Sequence, residues 1–394
     1  MAGEASLPVF SIGPDWSKDL LHRYSFRTDL TTAEDGTEQG RGTRNTPRVL
    51  QEYPWTAQGD DLRLLSNLSY GKGAGRFQVP VWTDGVSLDS SLASGSTSVP
   101  IDTTLRAFAE GFAVIRGDTA LDVELVAVEA VAPGELTISE TTRTWPAGSI
   151  VYPSRVAFME PHAAEDFTGD TAYGVARFNY AQANPGTATA PLTMYRGLPV
   201  VELPPTWTKD PGLEFARLLD VHDDDLGIPV QADQAGIPLG TQVQSVRLVG
   251  REAIADYLAL VYWLDGARRA VWLPTWRNDL RVTANLSAVT TTLVVAACGY
   301  TDHVNLALNR RDVRITTRAG AVFHRRITAC AKVGSTELLT LSSALGVAVA
   351  ASDIAQVCFL QVARSDSDTF ELAWWTGAQV DSVLTWRALH RADY

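Results

Sequence analysis

One short segment of the sequence occurs in two distant places. The letters FQVPVWTD surround Pro80, and VWLPTWRND surrounds Pro274. When Pro80 is placed on Pro274, Trp82 falls on Trp276 without a gap. Apolar positions continue to coincide downstream, with Leu88 on Val282, Leu92 on Leu286, Val99 on Leu293 and Ile101 on Val295. A repeat constrains the fold more than any local feature, because each copy is then one structural unit. The chain is therefore predicted to be an internal duplication.

The segments after each copy of this motif are short and rich in Val, Ile and Thr. Residues 123–131 are strand-like, rich in Val and interrupted by Glu124 and Glu129, Pro133 and Gly134 provide a turn, and residues 136–139 return. This punctuation is typical of antiparallel hairpins in small sandwiches or barrels. We expect a mainly β fold with two tandem duplicated β-sandwich or β-barrel modules, short helices and extended arms.

Two stretches have helical spacing, each placed before one copy of the repeated motif. The first spans residues 62–68, and the second has a stripe of Ile254, Tyr257, Leu258 and Val261. Residues 161–197 lose periodicity and collect proline and glycine, which predicts a connection between the copies. The expected organisation is an N-terminal arm with a strand and helix segment (1–76), a first β-module (77–160), a linker or loop region (161–197), a second arm with a strand and helix segment (198–270), a second β-module (271–364) and a C-terminal hairpin (365–394).

Charge and hydropathy exclude several classes of partner. The formal net charge is −12, and nucleic-acid surfaces depend on clustered Lys and Arg, so specific nucleic-acid binding is not expected. No run approaches the roughly 18 apolar residues of a membrane helix, so membrane insertion is not expected either. We expect a protein made in a cytosol.

The sequence contains none of the common catalytic motifs. None of the six histidines has the helical spacing of a zinc site, and the nucleophile, phosphate and dinucleotide motifs are missing. We therefore expect a non-enzyme without catalytic, cofactor-binding or metal-binding residues. Two carboxylates brought together from distant strands, as in a glycoside hydrolase, remain an alternative. Cys298, Cys330 and Cys358 lack the close pairing of a metal knuckle and are expected to be buried, reduced thiols.

Three arginines stand close together before a strand-like stretch. Arg41, Arg44 and Arg48 follow the acidic residues Glu34 and Asp35. These arginines could form an interface, pair with acids of the same chain, including Glu38, or bind an anion. The densest acidic group, 223–225 with Asp233, is interpreted as a solvated turn, with calcium binding as the alternative. This turn, Glu34 and Asp35 are candidate interface partners for the arginines of a neighbouring copy.

Tryptophans could stack on sugars or anchor a core. Trp82 and Trp276 recur at matched positions beside Pro80 and Pro274, which favours core anchors over a ligand platform. These four residues are predicted to be structural anchors.

Several short motifs resemble those of tail-tip or baseplate proteins of tailed bacteriophages. They are the segments Thr28-Asp29-Leu30, Glu38-Gln39-Gly40-Arg41, Pro47-Arg48, residues 80–84, residues 272–279 and Arg364-Ser365-Asp366-Ser367-Asp368. The resemblance implies a β-rich structural component of the virion tail, assembled in the host cytoplasm. It would form a homo-oligomeric ring around the tail channel and join the tube to hub, fibres or receptor-binding proteins, without cofactor. The segment 213–239 departs from the first copy, because it lacks the Glu-Gln-x-Arg and Pro-Arg pattern. A carbohydrate-binding receptor-binding protein is the main alternative, and a glycoside hydrolase is the third.

Overall fold

A computed structural model describes residues 6–73, 75–160, 167–183, 186–191, 193–207 and 209–391. The fold is mainly β, with 45% of residues in strands and 10% in helices. Twenty-one strands join in one connected antiparallel sheet, and the others form three separate hairpins. The described strands do not close into a separate barrel. The expectation of a mainly β chain is therefore confirmed.

The described residues up to 180 form thirteen strands and one α-helix, with a short 3₁₀ turn at Trp82–Asp84. In chain order these elements are β1 Leu20–Ser25, β2 Thr28–Thr32, β3 Glu38–Gly42, β4 Arg48–Gln58, α1 Gly59–Lys72, β5 Arg76–Pro80, β6 Val86–Ser87, β7 Ser98–Val99, β8 Gly111–Arg116, β9 Val123–Ala132, β10 Glu135–Ile138, β11 Ile150–Met159, β12 Phe167–Thr168 and β13 Thr171–Tyr180.

The described residues after 180 form fourteen strands and a second α-helix, with short helical turns at Tyr300–Val304 and Ala351–Asp353. In chain order these elements are β14 Met194–Tyr195, β15 Leu198–Pro199, β16 Gly212–Leu213, β17 Leu219–His222, β18 Val230–Asp233, β19 Thr241–Val249, α2 Arg251–Leu264, β20 Val271–Pro274, β21 Thr292–Ala296, β22 Asp312–Thr317, β23 Val322–Val333, β24 Thr336–Leu341, β25 Ile354–Ser365, β26 Thr369–Thr376 and β27 Gln379–Ala388.

The two halves of the chain pair their strands in the same order. In the first half the order is β5, β11, β8, β9, β10 and β7, each paired with the next. In the second half it is β20, β25, β22, β23, β24 and β21. The strand before each helix also has an equivalent neighbour, because β4 pairs with β13 and β19 pairs with β27.

An extended arm lies beside the repeated motif in each half. The Phe10 amide donates to the Gln78 carbonyl at 2.9 Å, and the Val201 amide donates to the Trp272 carbonyl at 2.9 Å. Gln78 and Trp272 coincide when Pro80 is placed on Pro274. Both arms run parallel to the strand that they contact, through the bridges Val9–Gln78 and Val200–Trp272.

A buried glutamine also repeats the same contact in each half. Gln51 of β4 donates its side-chain amide to the Pro80 carbonyl at 3.1 Å. Gln242 of β19 donates to the Pro274 carbonyl at 3.1 Å. A proline carbonyl buried at a strand end needs a donor, and the preceding long strand supplies it in both cases.

Strand β1 joins the halves, because it pairs with β4 on one side and with β26 on the other. The largest core cluster accordingly takes side chains from both halves, including Phe10 and Trp55 from the first and Tyr257 and Trp386 from the second. Two smaller cores lie within residues 88–151 and 280–359. Each of these two ranges thus has its own apolar centre beside the one that both halves share.

The region expected as a linker differs from that expectation. Residues 171–180 form β13, which pairs with β4 along nine registered positions from Thr171 to Asn179. Its buried side comprises Ala172, Gly174, Ala176 and Phe178. Small residues conceal the strand's alternation, because Ala and Gly carry little hydropathy contrast. Gly174 is required there by packing, since an added Cβ would lie 2.5 Å from the Trp55 ring.

Candidate functional site

Two of the three predicted arginines converge on one cleft of about 290 Å³, together with an arginine of β1. We call Arg23, Arg44 and Arg48 the arginine cleft. Arg44 reaches it from the loop after β3 and donates to the Ser25 carbonyl at 2.7 Å. Arg48 begins β4 and is exposed. Arg41 is exposed on β3, opposite Asp29, and does not line the cleft.

The arginine cleft carries positive charge that the chain only partly neutralises. Arg23 bonds to Glu371 at 2.5 Å. Arg44 donates to main-chain carbonyls, and neither Arg44 nor Arg48 has an ion pair within the part of the chain that the structure describes. Burial lowers the pKa of Arg44, and the charge of Arg48 adds to this effect. An incoming carboxylate would relieve that repulsion.

The acids considered as intramolecular partners for these arginines lie elsewhere. Glu34 and Asp35 are exposed in the turn between β2 and β3, and the Asp35 carboxylate accepts from the Thr37 amide at 2.8 Å. Glu38 is almost buried and bonds to Arg364 at 2.6 Å. The pairing of Glu38 with the predicted arginines is therefore not formed, because a distant arginine of β25 occupies its carboxylate.

Residues of three short sequence motifs, 28–30, 38–41 and 364–368, meet in one polar network. The Asp368 carboxylate accepts from the Thr28 amide at 2.7 Å and from the Ala267 amide at 2.9 Å. Together with the Glu38–Arg364 pair, these bonds fix the β2–β3 hairpin against the turn between β25 and β26. The motifs therefore make intramolecular contacts that hold the N-terminal and C-terminal parts of the chain together.

A second charged surface is the hairpin Leu219–Asp233, which we call the acidic hairpin. Its strands β17 and β18 pair with each other and, within the described ranges, with no other strand. The turn from Asp223 to Asp225 is held by its own carboxylates, with Asp223 accepting from the Asp225 amide at 3.0 Å. The Asp224 carboxylate accepts from the Leu226 amide at 3.2 Å. Asp225 has a positive φ of 59°, which is typical of a tight turn. The predicted solvated acidic turn is thus the tip of a projecting hairpin.

The acidic hairpin also exposes large apolar side chains, which the sequence reading missed. Leu226 is 90% exposed and Ile228 is 92% exposed, and Val230 follows at 66%. Contiguous apolar exposure of this kind is characteristic of an interaction site. The sequence contains one indication of this exposure, because the apolar residues Leu226 and Ile228 follow three consecutive aspartates. The first half of the sequence has no equivalent segment.

The predicted anchors are buried at the ends of β5 and β20. Trp82 is 4% exposed and packs against Tyr152, with ring centroids 5.0 Å apart. Trp276 is 6% exposed, and the Arg314 guanidinium lies 4.9 Å from the centre of its ring. Pro80 and Pro274 are buried as the last residue of each strand. These positions leave neither tryptophan face free as an open platform.

Cysteine burial agrees with the sequence expectation at one position. All three thiols are free, but Cys358 is buried, Cys330 is half-buried and Cys298 is exposed. Cys298 is exposed because it follows the end of β21, outside the alternating pattern. Its amide donates to the Glu337 carboxylate at 3.0 Å, and the Thr301 amide donates at 2.8 Å. Burial alone would raise the pKa of Glu337, but these bonds outweigh it and lower the pKa to about 2.

No cluster of three or more His, Cys, Asp or Glu side chains suited to a metal occurs in the described ranges. Among the same residues, no helix has the length and hydropathy needed to cross a membrane. No model of a known protein family matches the chain, and no curated protein matches its sequence.

Proposed function

We propose that this chain is a structural subunit of the distal tail or baseplate of a tailed bacteriophage. It assembles with copies of itself into a ring and joins the tail tube to hub, fibres or receptor-binding proteins. The observation that carries the proposal is the presence of two complementary surfaces on one chain. The arginine cleft belongs to the first half, whereas the acidic hairpin with its exposed Leu226 and Ile228 belongs to the second.

We also propose that the two halves derive from an internal duplication of one β-module with its arm, long strand and helix. The matched order of strand pairing supports this origin, as do the repeated bonds of Gln51 to Pro80 and of Gln242 to Pro274. Duplicated β-architecture suits a ring component, because similar modules can present similar inner surfaces while their loops diverge to contact different neighbours.

The energetic case for assembly rests on the combination of charge and apolar area. An exposed ion pair contributes only about 0–1 kcal/mol, so arginine–carboxylate pairs alone would not hold copies together. Burial of a Leu or Ile side chain adds roughly 1.5–3 kcal/mol each. With a net charge of −12, copies repel one another at long range, and contact requires a local positive surface.

The test is the assembly state of variants of the full chain. Arg44 and Arg48 of the arginine cleft are replaced by Glu together with Arg41, which lies outside the cleft on β3 and completes the predicted arginine group. A second variant carries Leu226→Ser with Ile228→Ser. Negative-stain images and sedimentation of the free protein report ring formation, and phage complementation reports incorporation into tails. Both variants are expected to fold normally, to lose ring formation and to be excluded from particles.

The matched control reverses three exposed cations elsewhere, Arg76, Lys209 and Arg281, to Glu. It changes the net charge equally and is expected to assemble normally. If the cleft and hairpin variants form rings and enter particles as the wild type does, the two surfaces are not interfaces and the proposal fails.

A carbohydrate-binding role is the second candidate, and one cavity favours it. Trp16 is 41% exposed and Trp375 is 45% exposed, and both line a cavity of about 620 Å³ beside Trp82. Exposed indole faces are suited to stacking on sugar rings. Saturable binding to a panel of host polysaccharides, abolished by Trp375→Ala, would favour this role, and cleavage of a polysaccharide would favour a glycoside hydrolase.

A further inference from the structure

A cavity of about 460 Å³ lies where the two halves meet. The first half contributes His22 of β1, Asp84 after β5 and the cationic side chains Arg106 and Arg155. The second half contributes side chains of helix α2, beginning with Arg251 at its first residue. The volume lies within the roughly 300–1,000 Å³ of small-molecule sites and is far larger than the roughly 30 Å³ share of one water.

Among the described residues, three guanidinium groups and one carboxylate line this cavity. Arg251 pairs with Asp84 through an ion pair whose side chains are 17% and 10% exposed. Asp84 also accepts from the Ala107 amide at 2.8 Å, so its oxygens are occupied. After this pairing, the charges of Arg106 and Arg155 remain without a carboxylate partner in the described residues.

The two remaining arginines are held in place by neutral carbonyls. Arg155 donates to the Ala107 carbonyl at 2.6 Å and to the Ser154 carbonyl at 2.9 Å. Arg106 donates to the Gly85 carbonyl at 3.0 Å, and its buried Nε has no hydrogen-bond partner among the residues that the structure describes. Burial lowers the pKa of Arg106, and the nearby charge of Arg251 lowers it further. An oxyanion between these groups would receive charge-assisted bonds and would offset the unbalanced positive charge.

A buried histidine in the same cavity wall provides an independent observation, because one of its ring nitrogens accepts no hydrogen bond from the described residues. His22 is 3% exposed, and its Nε2 lies 3.1 Å from the Gln51 side-chain oxygen. That oxygen can only accept, so Nε2 donates and Nδ1 of the neutral ring is an acceptor. Burial lowers the pKa of His22 and so favours the neutral ring. Its Nδ1 is buried and has no hydrogen-bond partner in the described part of the chain. A ligand that donates a hydrogen bond to His22 Nδ1 would therefore satisfy this acceptor.

We propose that the cavity binds a small hydroxylated organic oxyanion, bearing a carboxylate or phosphate group. Arg106 and Arg155 hold the oxyanion, the Arg251–Asp84 pair limits its position, and a ligand hydroxyl donates to His22. Trp374 and the tyrosines of the wall cover the uncharged part of the molecule. The site lies apart from the arginine cleft and the acidic hairpin and does not depend on assembly.

Calorimetry and thermal shift on the full chain test this proposal with citrate, glycerol 3-phosphate, inorganic phosphate and glycerol, each against sodium chloride of equal ionic strength. Citrate or glycerol 3-phosphate is expected to bind saturably and raise the melting temperature, whereas glycerol is not. Which of the two binds more tightly distinguishes a carboxylate site from a phosphate site. If inorganic phosphate binds as tightly as glycerol 3-phosphate, the ligand hydroxyl does not contribute to binding and that part of the proposal is wrong.

The variants Arg155→Gln and Arg106→Gln are each expected to weaken binding at least roughly tenfold, the usual loss for one hydrogen bond to a charged group. The exposed control Arg281→Gln should bind like the wild type, and melts of all variants establish that they fold. His22→Phe, which removes the acceptor, should weaken the hydroxylated probes and leave inorganic phosphate unchanged. No saturable binding of any anion above the salt control, or equal weakening by Arg281→Gln, overturns the proposal.

Discussion

The ion pair between Glu38 and Arg364 is predicted to hold the N-terminal hairpin to the second half of the chain. The two side chains are only 9% and 7% exposed, and their atoms approach to 2.6 Å. Removing one partner of a buried pair costs about 3–5 kcal/mol, because it leaves an uncompensated charge in the interior. In Arg364→Met, Glu38 retains Arg387 at 3.6 Å, and that side chain is 42% exposed. We therefore expect the low end of the range, about 3 kcal/mol.

A double-mutant cycle separates the pair from its surroundings. Glu38→Gln alone leaves Arg364 with Asp366 at 3.5 Å and with the Ser365 carbonyl at 2.8 Å, so its cost should be smaller, about 2 kcal/mol. The double variant Glu38→Gln with Arg364→Met removes both charges and should cost less than the sum of the single changes. The assay is urea unfolding followed by tryptophan fluorescence, with hydrogen exchange of β2 and β3 as a local reading.

A matched exposed pair provides the control for this cycle. Arg247 and Asp381 bond through two contacts at 2.7 and 2.8 Å, but their side chains are 36% and 32% exposed. Arg247→Met should leave the free energy of unfolding almost unchanged, because solvent screens such pairs. If Arg364→Met destabilises no more than Arg247→Met, burial of the pair does not determine its strength and the reasoning is refuted.

Two further predictions concern single side chains. Trp276→Ala should destabilise the protein by roughly 3–5 kcal/mol, the range for a large aromatic truncated in a core, whereas the half-exposed Trp375→Ala should not; equal melting temperatures would show the Trp276 ring to be dispensable. Glu337 has a folded-state pKa of about 2, below its unfolded value near 4.3, so its contribution is present above that unfolded pKa and is lost as pH falls towards 2. Melting temperatures from pH 2 to 6 should therefore fall less steeply in Glu337→Gln than in the wild type, and parallel curves would contradict this.

Local features of the fold could be predicted from the sequence because their signals are local. The stripe on residues 251–262 predicted α2, which runs Arg251–Leu264 and buries Ile254, Tyr257 and Val261. The turn at Pro133 and Gly134 predicted the hairpin of β9 and β10. In both cases the period of the apolar residues and the turn chemistry lie within a dozen residues.

The joints between distant segments could not be predicted in the same way. Glu38 and Arg364 are separated by 326 residues, and the arginines beside Glu38 in sequence offered nearer partners. Strand β13 was missed because its buried side chains are mostly small. The cavity at His22 draws its lining from both halves, and its chemistry emerges only when they meet. Exposure of Leu226 and Ile228 depends on the absence of a covering segment, which a hydropathy pattern does not reveal.

The placement of the two charged surfaces constrains how copies could assemble. The arginine cleft and the acidic hairpin are different patches, so contact between them is heterologous and not self-complementary. A heterologous contact closes into a ring when its rotation divides a full turn, and otherwise continues as a filament. For a closed ring, mass measured by sedimentation should reach one fixed value as protein concentration rises. A mass that keeps increasing would be consistent with the interface but would contradict a closed ring. A neighbouring tail protein would then be needed to limit the assembly.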